Sequence, residues 1–384
     1  MGAHPSGMSQ VVGGGEQAQA PTEGVSLREW LEAHGAEACL GSAVARRWGG
    51  ALPMLFKVLS VRTALSIQAH PDKALAERLH KERPQVYKDD NHKPEMALAL
   101  EPFEALCGFV EAAQLRNALS AHPELRECVG EANAANADAA AGDAEKERAA
   151  LVACFRAVMR ADDALRQKCT RELNARLAGA GDLPPKEKLY LRLFEQYPDD
   201  IGTLAVFFLN YVTLQPGEAL YLGANEPHAY LSGQCVECMA TSDNVVRAGL
   251  TPKLRDTEVL CNMLTYRMGT PHVLRGEAVD GCKRLYAVPA PTDEFEVAAI
   301  TVAPGEAYQL AANAGPQVVL CYSGTGTAAG APLAGGACFF VPCGTEVPLS
   351  CDAGSSPLTL YAAAVSSRVF QQKRKGVRAN VDRA

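Results

Sequence analysis

Two short runs carry residues at a spacing that suits metal chemistry. Gln68 and His70 lie two apart in a segment of strand-like alternation from Leu55 to His70. There Ala64, Ser66, Gln68 and His70 share one face, and Leu65, Ile67 and Ala69 share the other. Lys93 and Glu95 repeat the spacing in Asn91-His92-Lys93-Pro94-Glu95-Met96, where Pro94 keeps Lys93 extended. His228 follows in Glu226-Pro227-His228-Ala229-Tyr230, just after a strand that ends at Gly223. A fold that gathers strand ends around one cavity would bring together two imidazoles, a carboxylate and an amide oxygen. Gln68, His70, Glu95 and His228 would then hold a divalent metal, with Zn²⁺ the natural occupant of a borderline nitrogen and oxygen site. Each of these residues, taken alone, is more often a hydrogen-bonded or exposed side chain on a strand. His92 is equally explained by a solvated loop.

The segment from Cys235 to Arg255 is dense in polar groups: Glu237, Asp243, Asn244, Arg247, Lys253 and Arg255. Arg247 stands in Val245-Val246-Arg247-Ala248-Gly249, where the apolar neighbours predict a strand that directs the guanidinium inward. A cationic cluster beside a metal suits a phosphorylated sugar, the cations binding phosphate and the metal polarising the other end. A surface hairpin with balanced charges produces the same pattern. Cys235-Val236-Glu237-Cys238 is read as a decoy, because positions three apart on a strand face opposite sides and no second pair exists. A Ser/His/Asp triad, a Walker loop and a G-x-G-x-x-G after a strand are absent, and Gly324-Thr325-Gly326 reads as a turn.

The elements that must position these residues follow from composition and periodicity. The chain has 384 residues, 48% hydrophobic and 21% charged, which supports a sizeable core in two or three domains. A net charge of −7 argues against nucleic acid or an anionic membrane as partner. No apolar run is long enough to span a bilayer, and no basic head with an apolar run opens the chain. Thirteen cysteines without framework spacing fit a reducing compartment, so a cytoplasmic location is expected. After a glycine-rich start (Gly13 to Gly15), a short helix is predicted near Leu27 to Ala33. Helical periodicity marks Leu151 to Met159, Leu165 to Leu177 and Tyr190 to Tyr197. Glu131 to Ala150, ten alanines in twenty residues, is expected to be a loop, since it offers no apolar stripe. Strand patterning resumes near Thr203. After Met268 come short strands at Arg284 to Val288, Phe295 to Val302, Gln317 to Tyr322, Cys338 to Val341 and Leu358 to Val365, predicting a jelly-roll type unit. The last histidine is His272, so this unit has no imidazole for a metal site. The tail from Lys373 to Arg383 is basic and reads as a solvated end. The expected division is residues 1–106 with 201–267, a helical insert at 107–200, and a β unit at 268–384.

Several runs carry a resemblance. They are Met1-Gly2-Ala3-His4-Pro5-Ser6-Gly7, Leu65-Ser66-Ile67-Gln68-Ala69-His70-Pro71-Asp72-Lys73, Tyr87 to Met96, Glu101 to Phe109, and Leu209 to Lys253 with Glu218 to Tyr230 and Glu237 to Ala240 inside it. Together they resemble the type I phosphomannose isomerases over most of the chain, least in the alanine-rich insert and the C-terminal unit. The resemblance implies one Zn²⁺ per chain on Gln68, His70, Glu95 and His228. It implies active-site roles for Ser66, Lys93, Glu237, Asp243, Arg247 and Lys253, with Arg247 tied to turnover. Arg247, Glu237, Lys93 and Asp243 are then the expected catalytic residues, and Ser66, Lys253, Tyr230 and His92 the expected substrate-binding ones.

The implied fold is mainly β: a cupin-type jelly roll interrupted by an α-helical domain and followed by a second, metal-free, cupin-like β domain. The implied reaction interconverts mannose 6-phosphate and fructose 6-phosphate through an enediol, feeding mannose and GDP-mannose metabolism. The expected partner is thus a small sugar phosphate, and the expected state a monomer. Two alternative readings are a cupin oxygenase holding Fe²⁺ on His70, His228 and Glu95, and a non-catalytic sugar-phosphate binder. Gln68 as a fourth ligand and the cationic cluster disfavour the oxygenase. Family members carry further strands ahead of the Met-Gly-x-His-Pro-Ser-Gly motif, whereas this chain begins at it. A truncated catalytic domain with an unpaired sheet edge is therefore expected.

Overall fold

The computed structural model of the protein describes residues 1–4, 7–12 and 24–371. The Gly13 to Gly15 run and the basic tail from Lys373 lie outside the described residues. The predicted first helix is present as α1 (Leu27–His34), where Ser26 and Glu29 form a reciprocal cap that satisfies the free amides of its first turn.

A nine-stranded sheet, curled on itself, forms the body that carries the site. Its strands are β1 (Met54–Val61), β2 (Ile67–Ala69), β3 (Glu95–Ala99), β4 (Phe103–Phe109), β5 (Leu209–Leu214), β6 (Ala219–Leu222), β7 (His228–Ala240), β8 (Val246–Gly249) and β9 (Val273–Leu274). The 13-residue β7 is the spine. Its second half pairs with β1 and β3, and its first residues pair with β2 and β4. The interior is filled by Ala97, Ala99, Phe103, Ala105, Leu220, Leu222, Tyr230 and Cys235. The strand expected over Leu55 to His70 is broken into β1 and β2, with Arg62 and Thr63 exposed between them. The two strands follow β7 in succession, Val61 opposite Gly233 and Gln68 opposite His228, with the ladder interrupted between them.

The helical insert comprises α3 (Ala112–Ala121), α4 (Pro123–Val129), α5 (Glu131–Ala139), α6 (Ala144–Met159), α7 (Asp163–Ala178) and α8 (Pro185–Gln196), after α2 (Lys73–Glu82). The loop expected over Glu131 to Ala150 is instead α5 and the start of α6. Its stripe is made of alanines: Ala134, Ala137, Ala140 and Ala150 are buried in the core they share with Leu151, Phe155 and Leu173. Alanine has the highest helix propensity, and its single methyl lets neighbouring helices approach closely. The strand expected near Thr203 is also corrected. Residues 202–208 are helical turns, and β5 begins only at Leu209. A short apolar run there does not by itself distinguish helix from strand.

Beyond β9 and the short helix α9 (Thr257–Met263), a β sandwich follows. Its six-stranded sheet includes β10 (Lys283–Tyr286), β11 (Glu296–Val302), β12 (Gln317–Ser323), β13 (Cys338–Val341) and β14 (Leu358–Ala364). Alternation along β12 shows how it is used. Val319 and Cys321 face the sandwich core, while Val318 and Leu320 pack with Phe56, Leu98 and Val236 of the curled sheet. The sheet is therefore buried on both faces.

Candidate active site

Strand register assembles the metal-ligand candidates. On β7, His228 is opposite Gln68 of β2, and Met239 is opposite Glu95 of β3. His70 follows β2 directly, and Gln68 is also opposite Arg247 of β8. Ligand atoms of His70, Glu95 and His228 all lie within 4.8 Å of one another, the one such group among the described residues. His70 Nε2 is 3.3 Å from Glu95 Oε1, and His228 Nε2 is 3.4 Å from Glu95 Oε2. The three residues are at most 1% exposed.

The other ring nitrogens decide what this group needs. His70 Nδ1 donates to the carbonyl of Asn244 at 2.7 Å, and His228 Nδ1 donates to the carbonyl of Glu226 at 3.1 Å. A carbonyl only accepts, so the proton of a neutral ring sits on Nδ1 and the Nε2 lone pair faces Glu95. Burial pushes the His70 pKa down to about 4 against the pull of Glu95, keeping that ring neutral. Neither Nε2 atom nor Glu95 Oε2 has a hydrogen-bond partner among the described residues. Lone pairs converging without a proton between them, in a site closed to water, fit a bound cation. Gln68 Oε1, which accepts from Ser66 Oγ at 3.3 Å, stands beside them as the amide candidate. Two imidazoles, a carboxylate and an amide oxygen therefore fit Zn²⁺.

A chain of buried charges continues from Glu95. Lys93 Nζ lies 3.1 Å from Glu95 Oε1. Burial works against the Lys93 ammonium, but Glu95 and Glu237 outweigh it and raise its pKa. Glu237 is opposite Lys57 of β1, whose Nζ is 2.6 Å from its Oε2. Burial, reinforced by the Glu95 charge, pushes the Glu237 pKa up against the pull of Lys57. The Tyr230 hydroxyl is buried in the same interior and has no hydrogen-bond partner among the described residues. Burial and then Glu237 hold it protonated well above the ordinary range.

The cations form a second group. Arg247 and Lys253 line a cavity of about 250 Å³ with Val86, Tyr87, Leu254 and Asp256. Burial alone lowers the Arg247 pKa. Asp243 is half-exposed and meets His4 Nε2 at 3.4 Å. His92 Nε2 lies 2.7 Å from Glu294 Oε1 of the C-terminal sandwich. Cys235 lies in the barrel interior and Cys238 in the outer core shared with the sandwich, on opposite faces as the spacing requires.

Sequence reasoning missed Lys57 and Asp89. Lys57 is a lone charge in the apolar run Met54 to Val61, which was an available signal. Asp89 had none: it accepts from Ser242 Oγ, the Asp243 amide and Asn244 Nδ2, and thereby steadies the carbonyl that orients His70.

Comparison with known proteins bears on this arrangement. Residues 1–112 match the family model of the type I phosphomannose isomerase catalytic domain, and residues 128–209 match that of its helical insertion domain. Mannose-6-phosphate isomerase 1 of Arabidopsis thaliana is 46% identical over 96% of this chain and 84% of its own length. The mannose-6-phosphate isomerase of Schizosaccharomyces pombe is 40% identical over 94% of this chain and 88% of its own. A crystal structure of zinc-bound mannose 6-phosphate isomerase superposes with a TM-score of 0.79 at 29% identity, covering 95% of this chain and 90% of that one. A variant of phosphomannose isomerase from Salmonella typhimurium superposes with the same TM-score at 28% identity, over 95% and 90% of the two chains.

Proposed function

The chain belongs to the type I phosphomannose isomerase family, and from that premise we propose that it is a zinc-dependent isomerase interconverting mannose 6-phosphate and fructose 6-phosphate through an enediol. The observation that carries this reading is the convergence of His70 Nε2, Glu95 and His228 Nε2, with both Nδ1 atoms held by carbonyls. Gln68, His70, Glu95 and His228 would hold one Zn²⁺. When bound, the ion supplies positive charge that favours a developing oxyanion.

The remaining steps belong to the chain's own side chains. Conversion of the aldose removes the proton from C2 and returns a proton to C1, while a hydroxyl proton passes from O2 to O1. Glu237 is suited to carry the carbon-bound proton, because burial raises its pKa and Lys57 stabilises it when ionised. Lys93 is the alternative carrier. Arg247, on a strand edge opposite Gln68, would meet the enediolate, and Lys253, which lines the same cavity, would hold the phosphate end together with Ser66. Tyr230 offers a protonated hydroxyl to the sugar. Asp243, in contact with His4, would act from the partly exposed side of the site. Mannose 6-phosphate formed in the reverse direction would enter mannose and GDP-mannose metabolism. Thirteen unpaired cysteines support a cytoplasmic location, and a monomer is expected, which size-exclusion chromatography tests.

Incubating the purified protein with mannose 6-phosphate, with metal analysis alongside, tests the proposal. Fructose 6-phosphate formation that stops on chelation and returns with zinc supports it. Iron with oxygen consumption would favour the oxygenase reading, and binding without turnover would leave a sugar-phosphate binder.

A further inference from the structure

The loop between β8 and α9 carries Lys253, and both of its ends are anchored by aspartates outside the reacting group. At its start, Asp200, two residues before the 202–208 helical turns, takes three backbone amides. Its Oδ1 accepts from Gly202 and Leu250, each at 2.7 Å, and its Oδ2 from Thr251 at 3.2 Å. Leu250 adopts a positive φ of 54°, a conformation that a leucine holds only when its surroundings enforce it. The backbones touch here: a methyl on Gly202 would lie 2.5 Å from the Leu250 nitrogen, and one on Gly249 would lie 2.5 Å from Gly202.

At the other end, Asp256 Oδ2 accepts from the Tyr87 hydroxyl at 2.9 Å and from the Arg83 guanidinium, while its Oδ1 caps α9 through the Val259 amide at 3.3 Å. The Arg83 guanidinium also lies over the Tyr87 ring, 5.2 Å from its centre. Between the anchors, Thr251 Oγ1 accepts from the Lys253 amide at 3.1 Å, leaving Lys253 and Leu254 exposed at the cavity.

We propose that Asp200 and Asp256, the latter through Tyr87 and Arg83, are positioning residues that hold the 250–256 loop so that Lys253 faces the Arg247 cavity before substrate arrives. This rests on the reading of Lys253 as a phosphate contact. A loop fixed in advance does not lose its own freedom when the anion binds, so the anchors act on affinity and not on the proton transfers.

The test measures kcat and KM for mannose 6-phosphate on the zinc-loaded enzyme, in Tyr87→Phe, Asp256→Ala, Asp200→Asn and Lys253→Ala, and in each anchor variant combined with Lys253→Ala. Each anchor variant should raise KM on the order of tenfold for a lost charge-assisted bond, with Tyr87→Phe lower, and kcat should stay within about twofold. In the Lys253→Ala background the anchor effect should vanish, because its means of action is gone. An anchor effect that persists there, or appears in kcat alone, or a KM unchanged in every anchor variant, overturns the proposal. Lys253→Ala with unchanged KM instead overturns the phosphate reading beneath it, a separate result. Tyr87→Phe removes one hydroxyl and keeps the ring, so a folding failure of Asp256→Ala leaves the test intact.

Discussion

His228 and Glu237 sit nine residues apart on one strand, opposite in parity, yet both face the same interior. Strict alternation would send one of them outward. The pairing of β7 with β4 shifts register between Tyr230 and Ser232, and this bulge changes which parity points inward. Before it, His228 and Tyr230 face the cavity; after it, Cys235 and Glu237 do. Gly233 makes the shift sterically feasible, with a φ of 103° and Pro102 and Phe103 pressed against its Cα.

Gly233→Ala should therefore be severely destabilising. Its methyl would lie 2.4 Å from the Pro102 carbonyl oxygen, at a φ that disfavours any L side chain. A loss of about 2–4 kcal/mol is expected from strain of this kind, read by denaturant unfolding. Ser232→Ala, in the same strand but without the strain, should cost clearly less. Equal losses would show that the backbone conformation at Gly233 is not the critical feature.

Zinc content should be about one ion per chain and should fall in His228→Ala, because three ligands rarely hold the ion tightly. Elemental analysis of the purified variant checks this independently of activity. Replacing Cys235 and Cys238 by Ser should leave the metal in place, since the two thiols occupy different cores. Full zinc occupancy in His228→Ala would remove that residue from the ligand set.

Arg247→Ala should lower kcat and kcat/KM together, by about 3–4 kcal/mol of transition-state stabilisation as for other oxyanion donors. Arg247→Lys should restore activity only in part, because an ammonium cannot reproduce the planar fork. Steady-state kinetics distinguish this from a phosphate contact, for which KM alone would rise.

Acid should weaken the helical insert through His122. This buried ring accepts from Arg176 Nη2 at Nδ1, 3.1 Å away, and lies 3.2 Å from Glu187 through Nε2. Burial lowers its pKa below the ordinary 6.5, with Arg176 adding to the effect and Glu187 opposing it. A lowered folded-state value means that the unfolded chain binds the proton more readily. The associated stability is thus present above pH 6.5 and lost as pH falls below it. Unfolding free energies of the protein and of His122→Asn, compared between pH 7 and pH 5, should converge as pH falls. A constant difference would show that His122 does not titrate in this window.

The sequence by itself determined the residue types at the candidate site and the local geometry of each pair. Gln68 with His70 and Lys93 with Glu95 were legible because side chains two apart in extended chain share a face, whatever surrounds them. The opposed faces of Cys235 and Cys238 were legible for the same reason, and the helical insert showed in its periodic leucines. Only the tertiary structure decided which strands meet. It joined Gln68 to both His228 and Arg247, brought Lys57 to Glu237, and drew His92 to Glu294, because these contacts depend on pairing register across long sequence separations. It also turned the alanine-rich segment into packed helices, since burial of alanine depends on what another helix brings against it. The bulge on β7 belongs to the same class: parity along a strand is a local property, but where parity breaks is set by the neighbouring strand.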